Sequence, residues 1–413
     1  MSAPAVGFAG MTHLGINSAA AAMQRGFHVV CFDADAAVIE ALNLGRAPVT
    51  ESGLEDVLQK KKNLSTFTAA VADLARCDVV YISTDVATND RGESDLSQVG
   101  ALIGRVIPVL APGAVLVVLC QVPPGFTRTV GLAPERLYYQ VETLVFGIAL
   151  DRALNPERFI LGCADPAKPL PAPYAAFLGA FGCPVLPMRY ESAELAKIAI
   201  NCCLVASVSV ANTLAELCEN IGADWSEIVP SLKLDKRIGT HAYLAPGLGI
   251  AGGNLERDLA TVIRLAAEHG TDAGVVKAWV ANSRHRRDWA ARTVRKLLLD
   301  ANPRAEIAVW GLAYKENTHS TKNSPSLATI AQLKGATLRT HDPVVAGATA
   351  KEPLDAARGA DALMILTPWP QYRKIEPAAV AAAMCGRIVL DPYAVLDRAA
   401  AAAAGLELHT LGR

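Results

Sequence analysis

The first thirty-three residues restrict this chain most, because they read as one strand–turn–helix–strand unit. Residues 5–9 are a short apolar run. The turn Gly10-Met11-Thr12-His13-Leu14-Gly15 follows, then a helical stretch over 16–25, Gly26, and His28-Val29-Val30-Cys31-Phe32-Asp33. A βαβ unit of about 30 residues feeds a parallel sheet. The alternation continues with Val79-Val80-Tyr81-Ile82, residues 115–119 and residues 158–161. Apolar strands separated by helices predict a sheet buried on both faces.

A second alternating unit begins at Ala305. Ile307-Ala308-Val309-Trp310 reads as a strand, 311–323 as a polar loop and 325–333 as a helix, with further strands at 338–341, 362–366 and 388–390. Between the two units the period changes to that of a helix. Leu195, Ile198, Ala199, Cys202, Val205, Ala206, Val210, Leu214 and Leu217 recur without Gly or Pro, which predicts one long helix over 192–220. Apolar residues on more than one face place it between domains or at a subunit contact. The Gly-rich stretch 237–253 reads as an ordered loop. Residues 258–299 read as helical with a break near Gly270, and the alanine-rich 397–404 as a peripheral helix. The expected fold class is α/β: two Rossmann-like doubly wound parallel-sheet domains joined by a long central helix and a helical middle domain. The boundaries fall at 1–190, 191–300 and 301–413.

Composition agrees with a globular chain of this kind. Of 413 residues, 52% are apolar and 19% charged, and Lys+Arg 39 nearly balances Asp+Glu 40. No basic excess points to nucleic acid or an anionic membrane. The nine cysteines form no CxxC pair and are odd in number, so neither a disulfide framework nor a metal site is expected. A reducing cytoplasm fits them. The apolar runs, such as 198–211, are interrupted by Asn and Ser and read as too short for a bilayer. No signal peptide is expected, because no basic region precedes a leader-like apolar run.

The first turn departs from the dinucleotide fingerprint G-x-G-x-x-G, because Thr12 stands at the second Gly. That Gly lets backbone approach a pyrophosphate. Thr12 costs closeness but brings a hydroxyl, and the helix N-terminus still offers free N–H groups. Asp33 ends the next strand, where a carboxylate accepts from ribose hydroxyls and repels a 2′-phosphate. Gly10, Thr12, His13, Leu14, Gly15 and Asp33 are therefore the cofactor-site candidates, with NAD preferred over NADP.

Later motifs resemble the UDP-glucose/GDP-mannose dehydrogenase family over nearly the whole chain. Glu142-Thr143-Leu144-Val145-Phe146-Gly147 and Asn155-Pro156-Glu157-Arg158 resemble its EFLREG…HPDR. Lys197 and Asn201 match its Lys-x-x-x-Asn. Asp235-Lys236-Arg237-Ile238-Gly239 and Leu244-Ala245-Pro246-Gly247-Leu248-Gly249 resemble DxRIG…LxPGxG. Gly311-Leu312-Ala313-Tyr314-Lys315 resembles GLAFK, and Thr367-Pro368-Trp369 its TxW. Glu51-Ser52-Gly53-Leu54 is similar to its EPGL.

The resemblance implies an NAD-dependent oxidoreductase acting on a UDP- or GDP-linked sugar. Family members oxidise a sugar CH₂OH to a carboxylate in two hydride transfers, through a cysteine thioester. That cysteine lies in GGSCFPKD. The matching stretch here is Ala251-Gly252-Gly253-Asn254-Leu255-Glu256-Arg257-Asp258, so Asn254 takes its place. An amide forms no thiohemiacetal or thioester. Cys120 and Cys202 flank site positions as substitutes, although such cysteines are more often packing residues. Gln121 replaces a Thr beside the reacting sugar.

The resemblance gives the remaining site positions their roles. Lys197 and Asn201, one helical turn apart, are expected to hold a developing oxyanion. A lysine on a long helix is otherwise an ordinary snorkelling residue. Asp258 is expected to handle the proton, and Glu142 to assist it. Thr143, Leu144, Tyr243, Gly247, Gly249, Gly252 and Lys315 are expected around the nucleotide sugar, with backbone N–H groups of residues 247–253 taking part. The plainer reading of that loop is a surface segment needing glycine's freedom. Lys322 and Asn323 replace an Arg-Glu near the cofactor, keeping charge but losing the bidentate fork. Arg237 resembles a residue that reaches the neighbouring subunit's substrate, which implies a homodimer.

Three readings stay open at this point. The first is an oxidoreductase that stops after two electrons or returns the hydride. The second is an ordinary four-electron 6-dehydrogenase with an unrecognised nucleophile. The third is a catalytically silent nucleotide-sugar-binding protein.

Overall fold

The computed structural model describes residues 3–89 and 92–413. Its internal contacts divide the chain into two compact units, Met1–Ile200 and Asn201–Arg413.

The first unit is built on an eight-stranded sheet. Across it the strands run Val185–Arg189, Phe159–Cys163, Leu137–Gln140, Val115–Val118, Val79–Ile82, Val6–Ala9, Val29–Phe32 and Ser65–Thr68. Strand order reverses at Val6–Ala9, which pairs in parallel with Val29–Phe32 on one side and Val79–Ile82 on the other. In such a sheet a ligand crevice opens beyond the carboxyl ends of the strands at that switch point. Alternate residues serve two cores. Phe8, Cys31 and Tyr81 lie in one, and Ala9, Phe32 and Ile82 in the other. With both faces covered, the strands read as unbroken apolar runs. Truncating Phe8 or Tyr81 to Ala is expected to cost about 3–5 kcal/mol.

One pairing departs from the expected parallel sheet. Leu137–Gln140 and Phe159–Cys163 are antiparallel. The connection between them carries only the six-residue helix Ala149–Leu154 rather than a full crossover helix.

The first helix is His13–Gln24 and not 16–25, so the glycine turn is shorter than its motif. Ala19, Ala20, Ala21 and Ala22 on it are all buried, and their small side chains let the helix lie close to the sheet.

The long helix is Tyr190–Ile221, 32 residues. Contrary to the sequence expectation, it is long and apolar enough to cross a membrane by length and composition. Packing accounts for part of that character, with 39% of its most apolar window buried. From its second-unit part, Val205 enters one core and Ala211, Ala215 and Cys218 another, while Asn212 is buried as well.

In the second unit the helices Trp225–Leu234, Asn254–His269, Gly274–Arg287 and Trp289–Val294 lead into a five-stranded sheet. Its order is Thr337–His341, Glu306–Trp310, Ala362–Ile365, Ile388–Leu390 and Glu407–His409, all parallel. The expected break is Gly270, which caps a helix at φ 65°. The alanine-rich tail forms the helix Arg398–Ala403.

Candidate functional site

In the first unit the turn after Val6–Ala9 needs glycine twice. Gly10 has φ 97°, and a Cβ there would lie 2.9 Å from Thr84. A Cβ on Gly15 would lie 1.9 Å from the Gly10 carbonyl oxygen. The helix therefore starts directly on the turn, with its N-terminal amides at the strand ends, where an anion is favoured. Thr12 uses its hydroxyl locally: it donates to Ser83 O at 3.3 Å and accepts from Asp85 N–H at 2.9 Å. Asp33 accepts Met11 N–H at 2.7 Å and Asp35 N–H at 2.9 Å and is half-buried. Two donors leave lone-pair capacity on that carboxylate for ribose hydroxyls. The glycine cradle and this carboxylate fit a dinucleotide.

His13 turns its ring to Glu51, at 2.7 Å, and stacks on Phe146 with centroids 4.0 Å apart. Glu51 also accepts the amides of Gly147 at 2.8 Å and Ala149 at 3.2 Å. It thus ties the glycine turn to the segment beginning at Glu142. Leu14 packs in the core beneath the turn.

That segment meets the long helix through an ion pair. Lys197 Nζ lies 2.8 Å from Glu142 Oε1 and donates to the Glu142 carbonyl at 3.0 Å, while Leu144 N–H donates to Glu142 Oε2 at 2.8 Å. Both charges are largely buried, at 11% and 19% side-chain exposure, so screening is weak. Thr143 places its carbonyl on Arg152 Nε at 2.8 Å. The loop carrying Gln121 is held from the same helix by Glu194, which is fully buried. Its carboxylate accepts Gly125 N–H at 2.6 Å and Thr127 N–H at 2.8 Å. Burial pushes its pKa up, against the pull of those donors. Nothing in the sequence pattern separates Glu194 from an ordinary helical glutamate.

In the second unit, Asn201 donates its side-chain amide to Asp258 Oδ2. Arg257 Nε stands 3.5 Å from Asp258 Oδ1, and both side chains are nearly inaccessible, at 6% and 2%. Asn254 is the first residue of the helix Asn254–His269, immediately after Gly253 at φ 96°, and is exposed. Asn254 and Asp258 lie one turn apart and share a helix face.

The glycine loop spends its amides inside the unit. Gly247 N–H donates to Asn212 Oδ1 at 2.8 Å, Ile250 N–H to Ser283 Oγ at 2.9 Å, Gly252 N–H to Lys322 O at 3.2 Å and Gly253 N–H to Glu256 at 2.7 Å. These four amides are engaged within the unit. The glycines answer to packing as well. A Cβ on Gly249 would lie 2.4 Å from Ser283 O, and one on Gly252 2.6 Å from the Tyr314 ring. Tyr243 is 53% exposed. Arg237 is exposed and paired with Asp235 at 2.6 Å. Lys315 Nζ lies 5.8 Å from the Tyr314 ring centroid.

The second sheet repeats the geometry of the first with one difference. Gly311, at φ 94°, follows Glu306–Trp310 as Gly10 follows Val6–Ala9, and a Cβ on it would lie 2.4 Å from Thr367. Asp342 stands where Asp33 does, but five groups donate to it: the amides of Leu312, Ala313, Val344 and Val345, and Trp369 Nε1. Burial would raise its pKa, yet the amides prevail and hold it below the usual range. A carboxylate with about four acceptor sites is saturated by these donors.

The cysteines weighed as substitute nucleophiles are poorly placed for it. Cys120 is fully buried, donates its thiol to Ile82 O, and is pushed by burial up to about 12. Cys202 is pushed up to about 11 by burial, with the Asp258 charge adding to it. At neutral pH both stay thiols, and the thiolate is the nucleophile. Among the described residues no cluster of His, Cys, Asp or Glu is arranged to hold a metal ion.

Three family models match the chain along its length. The NAD binding domain of the UDP-glucose/GDP-mannose dehydrogenase family matches residues 5–169, its central domain 191–284 and its UDP binding domain 308–398. The UDP-glucose 6-dehydrogenase of Pseudomonas aeruginosa is 30% identical, over 98% of this chain and 96% of its own. UDP-glucose 6-dehydrogenase TuaD of Bacillus subtilis is 29% identical, over 98% and 92%. Among solved structures, a UDP-glucose dehydrogenase from Pyrobaculum islandicum shares the fold with a TM-score of 0.83 at 26% identity, covering 94% of both chains. A UDP-D-ManNAc dehydrogenase from Pyrococcus horikoshii does so with 0.87 at 23% identity, covering 99% of both.

Proposed function

This chain belongs to the UDP-glucose/GDP-mannose dehydrogenase family and is an NAD-dependent nucleotide-sugar oxidoreductase, and from that premise we propose that it performs a two-electron oxidation of a UDP-hexose without a covalent intermediate. Asn254 carries the reading: by its resemblance to GGSCFPKD this position would hold the family's thiol, and an amide opens the helix here. The burial of Cys120 and Cys202 supports it, because it raises both thiol pKa values and disfavours the thiolate.

In this reading Gly10, Thr12, His13, Leu14, Gly15 and Asp33 would hold NAD, assisted by Lys322, and NAD would supply the hydride acceptor. Lys197, held by Glu142, offsets negative charge as the sugar hydroxyl loses its proton, and Asn201 donates to that oxygen. Asp258, with Arg257 and Asn201 on its two oxygens, takes the proton. Gln121 orients the sugar. Thr143, Leu144, Tyr243, Lys315 and the loop bearing Gly247, Gly249 and Gly252 enclose the nucleotide sugar. The product is an aldehyde or ketone, or an epimer if the hydride returns.

We assign three functional parts: residues 1–190 for NAD, 191–300 for dimerisation and substrate, and 301–413 for the nucleotide sugar. Arg237 serves the substrate of a second copy in a cytoplasmic homodimer. Exposed Leu214, Leu217 and Ile221 on the long helix support that contact.

The test is to incubate the protein with NAD and a panel of UDP- and GDP-sugars and to measure NADH and product mass. One NADH per sugar and a carbonyl product are expected. Two NADH and a carboxylate would restore the four-electron reading, and no turnover of any sugar would leave only binding.

A further inference from the structure

The stretch beside Asn254 carries a second departure that the reaction does not use. Glu256 stands where GGSCFPKD has Pro, and Asn323 where the later Arg-Glu pair has its carboxylate. The structure joins these two positions. Glu256 accepts Gly253 N–H at 2.7 Å through one oxygen and the Asn323 side-chain amide at 3.0 Å through the other. Beside them Gly252 N–H donates to the Lys322 carbonyl at 3.2 Å. The Lys322 side chain lies 3.4 Å from where a Gly253 Cβ would be. A capping box explains only the first of these bonds.

We propose that Glu256 and Asn323 form a carboxylate–amide clasp that holds the turn 252–254 against residues 314–323, making Glu256 a positioning residue for nucleotide-sugar binding. The proposal rests on the reading that residues 247–253 enclose the nucleotide.

The clasp also has a pH dependence. Burial raises the Glu256 pKa, while the Gly253 amide, Asn323 and the nearby Lys322 charge pull it down without cancelling that rise. Burial raises the Tyr314 pKa, and the Glu256 charge adds to that rise. The closed clasp therefore binds a proton more tightly than an open, solvated Glu256. Closing is favoured as pH falls through the raised pKa and loses that advantage above it.

The test pairs hydrogen exchange across residues 250–257 in the ligand-free protein with calorimetric binding of UDP-glucose between pH 5 and 8. Glu256→Ala is expected to speed exchange and to weaken binding about tenfold, the scale of one or two lost hydrogen bonds. Glu256→Gln can satisfy both partners if Asn323 turns its amide. It is expected to bind within about threefold of wild type, with the pH dependence gone. Wild-type exchange in the Ala variant would overturn the clasp. Altered exchange with unchanged binding, or a Gln variant that keeps the wild-type pH dependence, would overturn the positioning role. If the wild type does not bind UDP-glucose at all, the reading of the loop fails and the positioning role with it, while exchange still decides the clasp.

Discussion

Asn254 is exposed at the first position of its helix, directly after a left-handed glycine. A thiol at a helix N-terminus has a depressed pKa. The Asn254→Cys variant is therefore expected to take up iodoacetamide at neutral pH at a site where the wild type has none, while Cys120 stays unlabelled in both. If the remaining groups suffice for the covalent route, NADH per sugar should rise from one toward two. A labelled variant that still yields one NADH would show that Gln121 or another departure also blocks the second oxidation. Lys197 is tested separately. Lys197→Ala removes the positive charge that sits 2.8 Å from Glu142 and is expected to lower kcat about 10²- to 10³-fold, with the NAD affinity little changed. Lys197→Arg keeps the charge, so an equal loss in both variants would point to packing rather than electrostatics.

Turn and helix act together at the next scale. A Cβ on Gly15 would press on the Gly10 carbonyl and stand 2.8 Å from Ser83 Oγ. Gly15→Ala must push the helix start off the turn. It is expected to destabilise the first unit by about 1–3 kcal/mol and to weaken NADH binding at least tenfold in a fluorescence titration. Unchanged affinity would remove this turn from the cofactor site. The turn was legible because its glycines, its flanking strands and Asp33 lie within one short unit. Strands such as Val79–Ile82 were legible for a similar reason: buried on both faces, they read as continuous apolar runs. Ser65–Thr68 and Val185–Arg189 escaped detection as edge strands, one half-polar and the other interrupted by Pro187. Glu51 and Glu194 were not assigned their tasks because those tasks are set by partners 38 and 69 residues away in the chain. Hydrophobic periodicity carries no record of such pairings, nor of amides that a loop spends on its own neighbours.

Each unit has its own sheet and its own cores, and each repeats one strand–glycine–strand geometry. What separates them chemically is the state of the acid after the second strand. Asp33 accepts two amides and keeps capacity for ribose, whereas Asp342 is saturated by five donors. A nicotinamide dinucleotide should therefore prefer the first unit even though both carry a left-handed glycine after their first strand. Ligand that binds only the native state stabilises it by RT ln(1 + [L]/Kd), about 2.7 kcal/mol at a hundredfold excess over Kd. With NAD at that excess, hydrogen exchange is expected to slow around residues 9–33 and to be unchanged around 311–342. UDP-glucose should give its main protection in the second unit. Asp33→Asn should abolish most of the NAD effect, because a neutral amide is a weaker acceptor for ribose hydroxyls. Asp342→Asn should instead lower thermal stability and leave NAD protection in place, since its work is structural. Equal NAD protection in both units would mean that saturation of Asp342 does not decide which fold takes the cofactor.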